Sequence, residues 1–280
     1  MRFGVTMFMT DQTMAPCEFA RAVEDRGLAS IYLPEHTHIP VSRRTPAPTG
    51  DADLAEEYKR TLDPLVALSA MAAVTSQVTI GTGILLPAQR DPIVTAKAIA
   101  TLDLLSGGRF VCGIGFGWNE DELANHGVSM PERRDVVRER VLAMQQIWRE
   151  DVAEFHGTHV DLAPTWSWPK PKSAGGPLVL MGGAPGPKLF SHIAEYCDGW
   201  IPIGGGGVRN ALPALRAACD ANGRDFAELR VVPFGTLSDP AKFDYYESLG
   251  ISEIVLRVHG GNSDSVLPQL DTYASLLERG

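Results

Sequence analysis

Short apolar runs alternate with amphipathic segments along most of the chain. Phe3–Met7, Ile31–Leu33, Val78–Leu86, Phe110–Phe116, Leu178–Met181, Trp200–Ile203, Arg230–Phe234 and Glu253–Val258 read as strands. Among them Phe110–Phe116, short and bounded by glycine, has the look of a strand buried on both faces. Helical segments fall between them, at 16–27, 62–76, 91–105, 131–150, 186–196, 209–222, 240–249 and 263–277. In the first, Phe19, Ala22 and Val23 share a face and Gly27 supplies a stop. Asp91 followed by Pro92 is a good N-cap and first helical residue for the third.

Strands alternating with helices imply a parallel sheet with right-handed crossovers. Eight such units predict closure into a (β/α)8 barrel, with an open doubly wound sheet as the alternative. No internal linker marks a second domain, so residues 1–280 are expected to form one. Two stretches break the rhythm. Thr37 to about Lys59 is rich in proline and charge and too long for a plain connection, which suggests a lid or an excursion. Glu154–Gly176 is a second irregular excursion and holds Trp166 and Trp168.

Composition narrows the classes. With 44% hydrophobic residues in 280 there is material for a sizeable core, and a net charge of -9 without a basic cluster argues against a nucleic-acid groove. No apolar run approaches a membrane span, and Met1-Arg2-Phe3 leads straight into a strand, as in a cytoplasmic protein. Cys17, Cys112, Cys197 and Cys219 are far apart, form no CxxC pair and are expected to be reduced.

In a barrel, function sits where the strands end. Those ends are rich in glycine and poor in fixed charge, which suits a flat, partly apolar ligand better than a sugar phosphate held by several basic residues. His36 is the one strong acid/base candidate, with Glu35 beside it. His36 and His38 form an HxH pair, but later strand ends offer too few partners for a metal site. His126, His156, His159 and His192 fall on helices or excursions and read as surface or packing groups. After Phe110–Ile114, glycines at 115 and 117 clear room for something flat against the backbone, and Trp118 stands where a dinucleotide fingerprint needs its third glycine. Met181–Lys188 (MGGAPGPK) passes from a strand end into a helix N-terminus, a natural phosphate site.

These motifs resemble the luciferase-like monooxygenase superfamily, in its branch of coenzyme F420-dependent oxidoreductases. The resemblance runs through EFARAVEDRGLASIYLPEHTHIP, the long block VTIGTGILLPAQRDPIVTAKAIATLDLLSGGRFVCGIGFGWNEDE, then ERRDVVRERVLAMQQIW, EFHGTHV and GGPLVLMGGAPGPKLF followed by CDGW. It implies a (β/α)8 barrel with an excursion over the C-terminal mouth of the strands, and a deazaflavin exchanging hydride with a small organic substrate. It implies a non-proline cis peptide at Gly83–Ile84 that presses on the back of the ring. Glu35 and His36 match the acidic-His pair near the reactive edge, and Gly115 and Asn119 match the polar edge. Gly183, Ala184 and Gly186 match the phosphate loop. Trp166 and Trp168 either wall the substrate pocket or anchor the excursion. Glu35 replaces the aspartate of sugar-phosphate and alcohol-oxidising members, which argues against those substrates. The nearest rival is FMN-dependent monooxygenation with oxygen, fed by a flavin reductase. A non-catalytic flavin-binding barrel and a metal-dependent hydrolase rank below it. A homodimer is expected from the resemblance alone.

Overall fold

The computed structural model describes residues 1–46 and 53–277. Among these residues the main strands are β1 (Arg2–Thr6), β2 (Ser30–Leu33), β3 (Thr79–Thr82) and β4 (Phe110–Ile114). A hairpin of β5 (Ala153–His156) and β6 (Asp161–Thr165) follows, then β7 (Leu178–Gly182), β8 (Gly199–Ile201), β9 (Arg230–Val231), β10 (Phe234–Thr236) and β11 (Glu253–Arg257). The helices are α1 (Pro16–Asp25), α2 (Pro64–Ala72), α3 (Pro92–Leu105), α4 (Glu120–Asn125) and α5 (Arg133–Arg149), followed by α6 (Pro187–Tyr196), α7 (Val208–Ala221), α8 (Pro240–Glu247) and α9 (Ser263–Ala274).

Nine strands form one curled sheet in the order β10-β11-β1-β2-β3-β4-β7-β8-β9, and every pairing in it is parallel. β9 and β10 are two pieces of the single run predicted at Arg230–Phe234. Val232 and Pro233 separate them, and Pro233 has no amide to donate. An isolated parallel bridge joins Ile203 to Phe234, with the Phe234 amide donating to the Pro202 carbonyl at 2.9 Å. The strand that opens the order and the segment that follows β8 therefore meet.

The core has two parts. The larger lies between the sheet and its helices. A smaller one draws Tyr32, Val111, Leu180, Ile201, Phe234 and Val255 from six different strands. Tyr32 of β2 and Phe234 of β10, not neighbours in the order, stand edge to face at 5.6 Å. Asp91 caps α3 as the sequence suggests, accepting from the Val94 amide, and Asp63 caps α2 in the same way from the Leu65 and Val66 amides, each followed by proline.

Three readings need adjustment. β3 stops at Thr82 instead of reaching Leu86, and the Gly83–Ile84 peptide that follows is cis. Leu85 then rejoins β4, its amide donating to the Gly113 carbonyl at 2.7 Å. The short α4 goes unread in the sequence because six residues carry too little periodicity. The excursion is not irregular throughout, since β5 and β6 pair antiparallel. Its hydrogen bonds run to α5 and α3, and its turn, at His159–Leu162, lines a cavity with Gln89, Arg90 and His126. Glu139 of α5 accepts from the Thr158, His159 and Val160 amides, Lys170 reaches the Ile147 carbonyl, and Asp103 of α3 holds Ser173.

Candidate functional site

β2 runs out into Pro34-Glu35-His36, and the two side chains find different partners. The Glu35 carboxylate is 3% exposed and accepts from the Leu86 amide and the Arg90 guanidinium, both at 2.6 Å. Arg90 also holds Asp63. Burial pushes the Glu35 carboxyl up, and the pull of Arg90 and the Leu86 amide offsets this only in part. Burial also works against the Arg90 charge, but Glu35 and Asp63 outweigh it and hold that guanidinium above its ordinary value. Glu35 thus fixes the segment from Leu86 to Arg90 that follows the cis peptide. Both of its carboxylate oxygens are taken up by donors from within the chain.

His36 turns to Glu122 on α4. Nδ1 lies 2.9 and 3.1 Å from the two carboxylate oxygens, and the side chains are 6% and 1% exposed. An ionised carboxylate only accepts, so this pairing places the imidazole proton on Nδ1 and leaves Nε2 for other chemistry. Among the described residues no hydrogen bond uses Nε2. Glu122 owes its position to Asn119, which caps α4 and is 1% exposed. The Asn119 side-chain oxygen accepts from the Glu122 amide, while its buried Nδ2 has no partner among the described residues.

Aromatic rings enclose His36. Tyr58 and Trp118 lie 5.3 and 5.7 Å from its ring, and Phe8 stacks on Tyr58 at 4.8 Å. Burial raises the Tyr58 phenol above its ordinary value. Tyr58 rides on a short helical turn, Glu56–Lys59, strapped over the ends of β1 and β11 by Glu57–Arg257 (2.6 Å) and Asp11–Arg60 (2.9 Å). This is the described end of the stretch expected to act as a lid, and residues 47–52 of that stretch lie outside the described residues. Under the turn a cavity of about 540 Å³ is lined by Phe8, Thr10, Glu57, Arg60, Arg257 and Gly260 among others.

The glycines behave differently from expectation. A Cβ on Gly115 would sit 1.9 Å from Ile84 Cδ1, and one on Gly83 would sit 2.3 Å from the Phe234 ring. The space they leave is filled by the protein's own side chains and seats the cis bulge against β4 and β10. Further round, Gly183 (φ +152°) and Gly186 lead into α6, whose first residue is Pro187. The Trp200 indole donates to the Gly183 carbonyl at 2.9 Å, and Ala184 is exposed. The first-turn amides of Lys188 and Leu189 have no carbonyl within the helix to bond, which is the basis of anion binding at such a terminus.

Trp166 and Trp168 are not brought to this mouth. They are 79% and 58% exposed, and the Trp168 carbonyl accepts from Lys97 of α3 on the outer layer. His38 bonds Thr37 and Asn125, away from His36, and the HxH pair does not converge. Among the described residues no three His, Cys, Asp or Glu side chains are grouped to hold a metal. The residues that sequence reasoning passed over are Glu122, Tyr58 and Trp118. Glu122 stands in the acidic run after the glycines and Tyr58 in the proline-rich stretch, and neither carries a local signal of its partner.

Comparison with known proteins gives the following. Residues 10–238 match the luciferase-like monooxygenase family. An uncharacterized protein of Mycobacterium tuberculosis (strain ATCC 25618 / H37Rv) is 39% identical over 280 residues, covering 99% of each chain. The F420-dependent glucose-6-phosphate dehydrogenase of Kineococcus radiotolerans is 33% identical over 219 residues, 74% of this chain and 58% of that protein. Among solved structures, the monooxygenase RslO1 from Streptomyces bottropensis superposes with a TM-score of 0.81 at 20% identity, covering 100% of both chains. An F420-dependent secondary alcohol dehydrogenase in complex with an F420–acetone adduct gives 0.77 at 17% identity, covering 98% of this chain and 97% of that one. At these identities the two structures speak to the fold alone. Among the described residues no helix is long and apolar enough to cross a membrane.

Proposed function

The chain belongs to the luciferase-like monooxygenase family, and from that membership we propose an oxidoreductase that holds coenzyme F420 at the strand ends and transfers hydride between it and a small organic substrate. The observation that carries this reading is the His36–Glu122 pair, walled by Tyr58 and Trp118. In the same reading the sheet is a closed (β/α)8 barrel, with β9 and β10 as one interrupted strand, and residues 1–280 form one domain. The Ile203–Phe234 bridge and the Tyr32–Phe234 contact support closure.

The residues present fit a flavin-like ring. Asn119 Nδ2 is a buried donor with no partner among the described residues, suited to an oxygen on the ring's polar edge. Ile84, half-buried at the cis peptide and backed by Gly115, supplies an apolar support. Gly183, Ala184 and Gly186 with the first amides of α6 suit the phosphate. A bound deazaflavin supplies hydride exchange at a ring carbon, chemistry that belongs to the cofactor. His36, its Nδ1 committed to Glu122, holds Nε2 ready to give or take the proton that accompanies hydride transfer at the substrate. Tyr58, Trp118 and Phe8 exclude water from that point.

F420 is preferred to FMN because the relative from Kineococcus, at 33% identity, is named F420-dependent, whereas the monooxygenase of similar shape shares 20% of its residues. The test is a parallel titration with F420 and FMN, followed by quenching of each cofactor's fluorescence. Tight binding of F420 with FMN ignored is expected. The reverse preference would replace hydride transfer with oxygen-dependent monooxygenation by reduced FMN.

A further inference from the structure

α5 and α6 run side by side below the mouth, and one face between them is charged. Arg138 of α5 grips Glu195 of α6, its Nε donating to the two carboxylate oxygens at 2.9 and 2.8 Å and its Nη2 to one of them as well. One turn nearer the mouth the pattern breaks off. Arg134 stands where the next pair would form, opposite His192, and has no carboxylate. Its guanidinium lies over the Phe116 ring at 5.4 Å, and Phe116 meets His192 edge to face at 5.0 Å. Among the described residues the buried Arg134 Nε has no hydrogen-bond partner and no ion pair involves Arg134.

The placement works against stability in two ways. Arg133 and Arg134 occupy the first turn of a 17-residue helix, where the backbone dipole disfavours cations. Burial and the Arg134 charge together push the Arg133 guanidinium down. Nearby acids do not relieve this. Glu195 is committed to Arg138, Glu132 to the Ser129 hydroxyl, and Asp135 is exposed and makes no ion pair. A half-buried cation kept in such a position is suited to an anion from outside the chain.

The position says which anion. Phe116 follows β4 at the mouth, and Lys188, four residues before His192, is exposed at the start of α6 beside the Gly183–Gly186 loop. A phosphate on that loop would have Lys188 beside it at the start of α6, and Arg134 on the neighbouring α5, linked through Phe116 to His192 one turn further along α6. FMN ends at its phosphate, whereas F420 continues from its phosphate into a tail bearing several carboxylates. We propose that Arg134, with Lys188, is the seat of that acidic tail and selects tailed deazaflavins over cofactors that stop at the phosphate. This rests on the cofactor reading above.

The experiment compares full-length F420 with the 5′-phosphate of its deazaflavin nucleoside, which keeps ring and phosphate but has no tail. Binding to the wild type, Arg134→Ala and Arg134→Lys is read by fluorescence quenching. Arg134→Ala is expected to weaken full-length F420 by about 10-fold or more while leaving the tail-less phosphate unchanged, and Arg134→Lys to recover part of the loss. The salt dependence of F420 binding should flatten in Arg134→Ala. Unchanged F420 affinity in Arg134→Ala would overturn the proposal, as would an equal loss for both ligands, which would mark Arg134 as a support for Phe116. If the wild type binds neither deazaflavin, the cofactor reading itself fails and the tail seat with it.

Discussion

The Glu122 carboxylate sits 2.9 Å from Nδ1 of His36, and the two side chains, 86 residues apart in the chain, are almost wholly out of solvent. The carboxylate fixes the tautomer and orients the imidazole, and among the described residues Nε2 has no hydrogen-bond partner. Glu122→Gln keeps the volume but removes the ionised acceptor. Turnover is expected to fall by about 100-fold, the scale of a positioned acid/base group, with cofactor affinity changed less than about threefold. Steady-state kinetics beside a cofactor titration checks this. Equal losses in both would place Glu122 in the binding site instead.

Two glycines, Gly113 on β4 and Gly115 just past its end, separate packing from site shape. A methyl on Gly113 would meet the Thr82 carbonyl at 2.1 Å, and backbone in a sheet cannot yield easily, so Gly113→Ala should cost about 3 kcal/mol or more. A methyl on Gly115 meets only the tip of Ile84, which can swing away from β4. Gly115→Ala should therefore cost about 1 kcal/mol yet disturb the support beside the cis peptide and weaken cofactor binding. Thermal melts and cofactor titrations on both variants would show the crossover.

Trp166 and Trp168 are exposed on the outer layer, next to Lys97 and Lys170. Replacing either by alanine should change stability by no more than about 0.5 kcal/mol and leave cofactor and substrate kinetics unaltered. A specific rise in KM on either change would show that the excursion reaches the mouth in solution.

Much of this arrangement was legible in the chain and some of it was not. Strand and helix order could be read because each buried strand is a short apolar run and each helix repeats its apolar face. Asp91-Pro92 even marked the start of α3. The cis peptide at Gly83–Ile84 was expected from the family resemblance alone, since a glycine inside an apolar run reads as plain strand. Glu35 and His36 were placed together because they are adjacent, but neighbouring residues leaving a strand point to different sides, and their partners lie at Arg90 and Glu122. Glycine at 115 suggested room for a ligand because a sequence does not say whether a gap is filled by Ile84 or by something else. Tryptophans in the excursion drew attention through size alone, and the hairpin carries them outward along α3.

The hairpin also gives the chain an acid-sensitive latch. Burial pushes the Glu139 carboxyl up, but the His159, Thr158 and Val160 amides outweigh it and hold the group below its ordinary value. A carboxylate lowered in the folded state contributes stability that is present above the ordinary glutamate value of about 4.3 and lost as pH falls through the lower folded value. Proteolysis near Gly157–Val160 should accelerate as pH is lowered through that window, and Glu139→Gln should cleave readily already at neutral pH. Equal protection of both proteins at every pH would remove Glu139 as the latch.

The central claim, a deazaflavin seated at the strand ends against the buried amide of Asn119, comes down to one titration. Asn119→Asp keeps the oxygen that caps α4 and deletes the unpaired Nδ2 donor. Wild type and variant are titrated in parallel with F420, following quenching of the cofactor's fluorescence. The account expects saturable binding to the wild type and at least about 10-fold weaker binding to Asn119→Asp, with the variant's fold checked by its melting curve. Equal affinity in the two proteins, or no binding to the wild type, would contradict it.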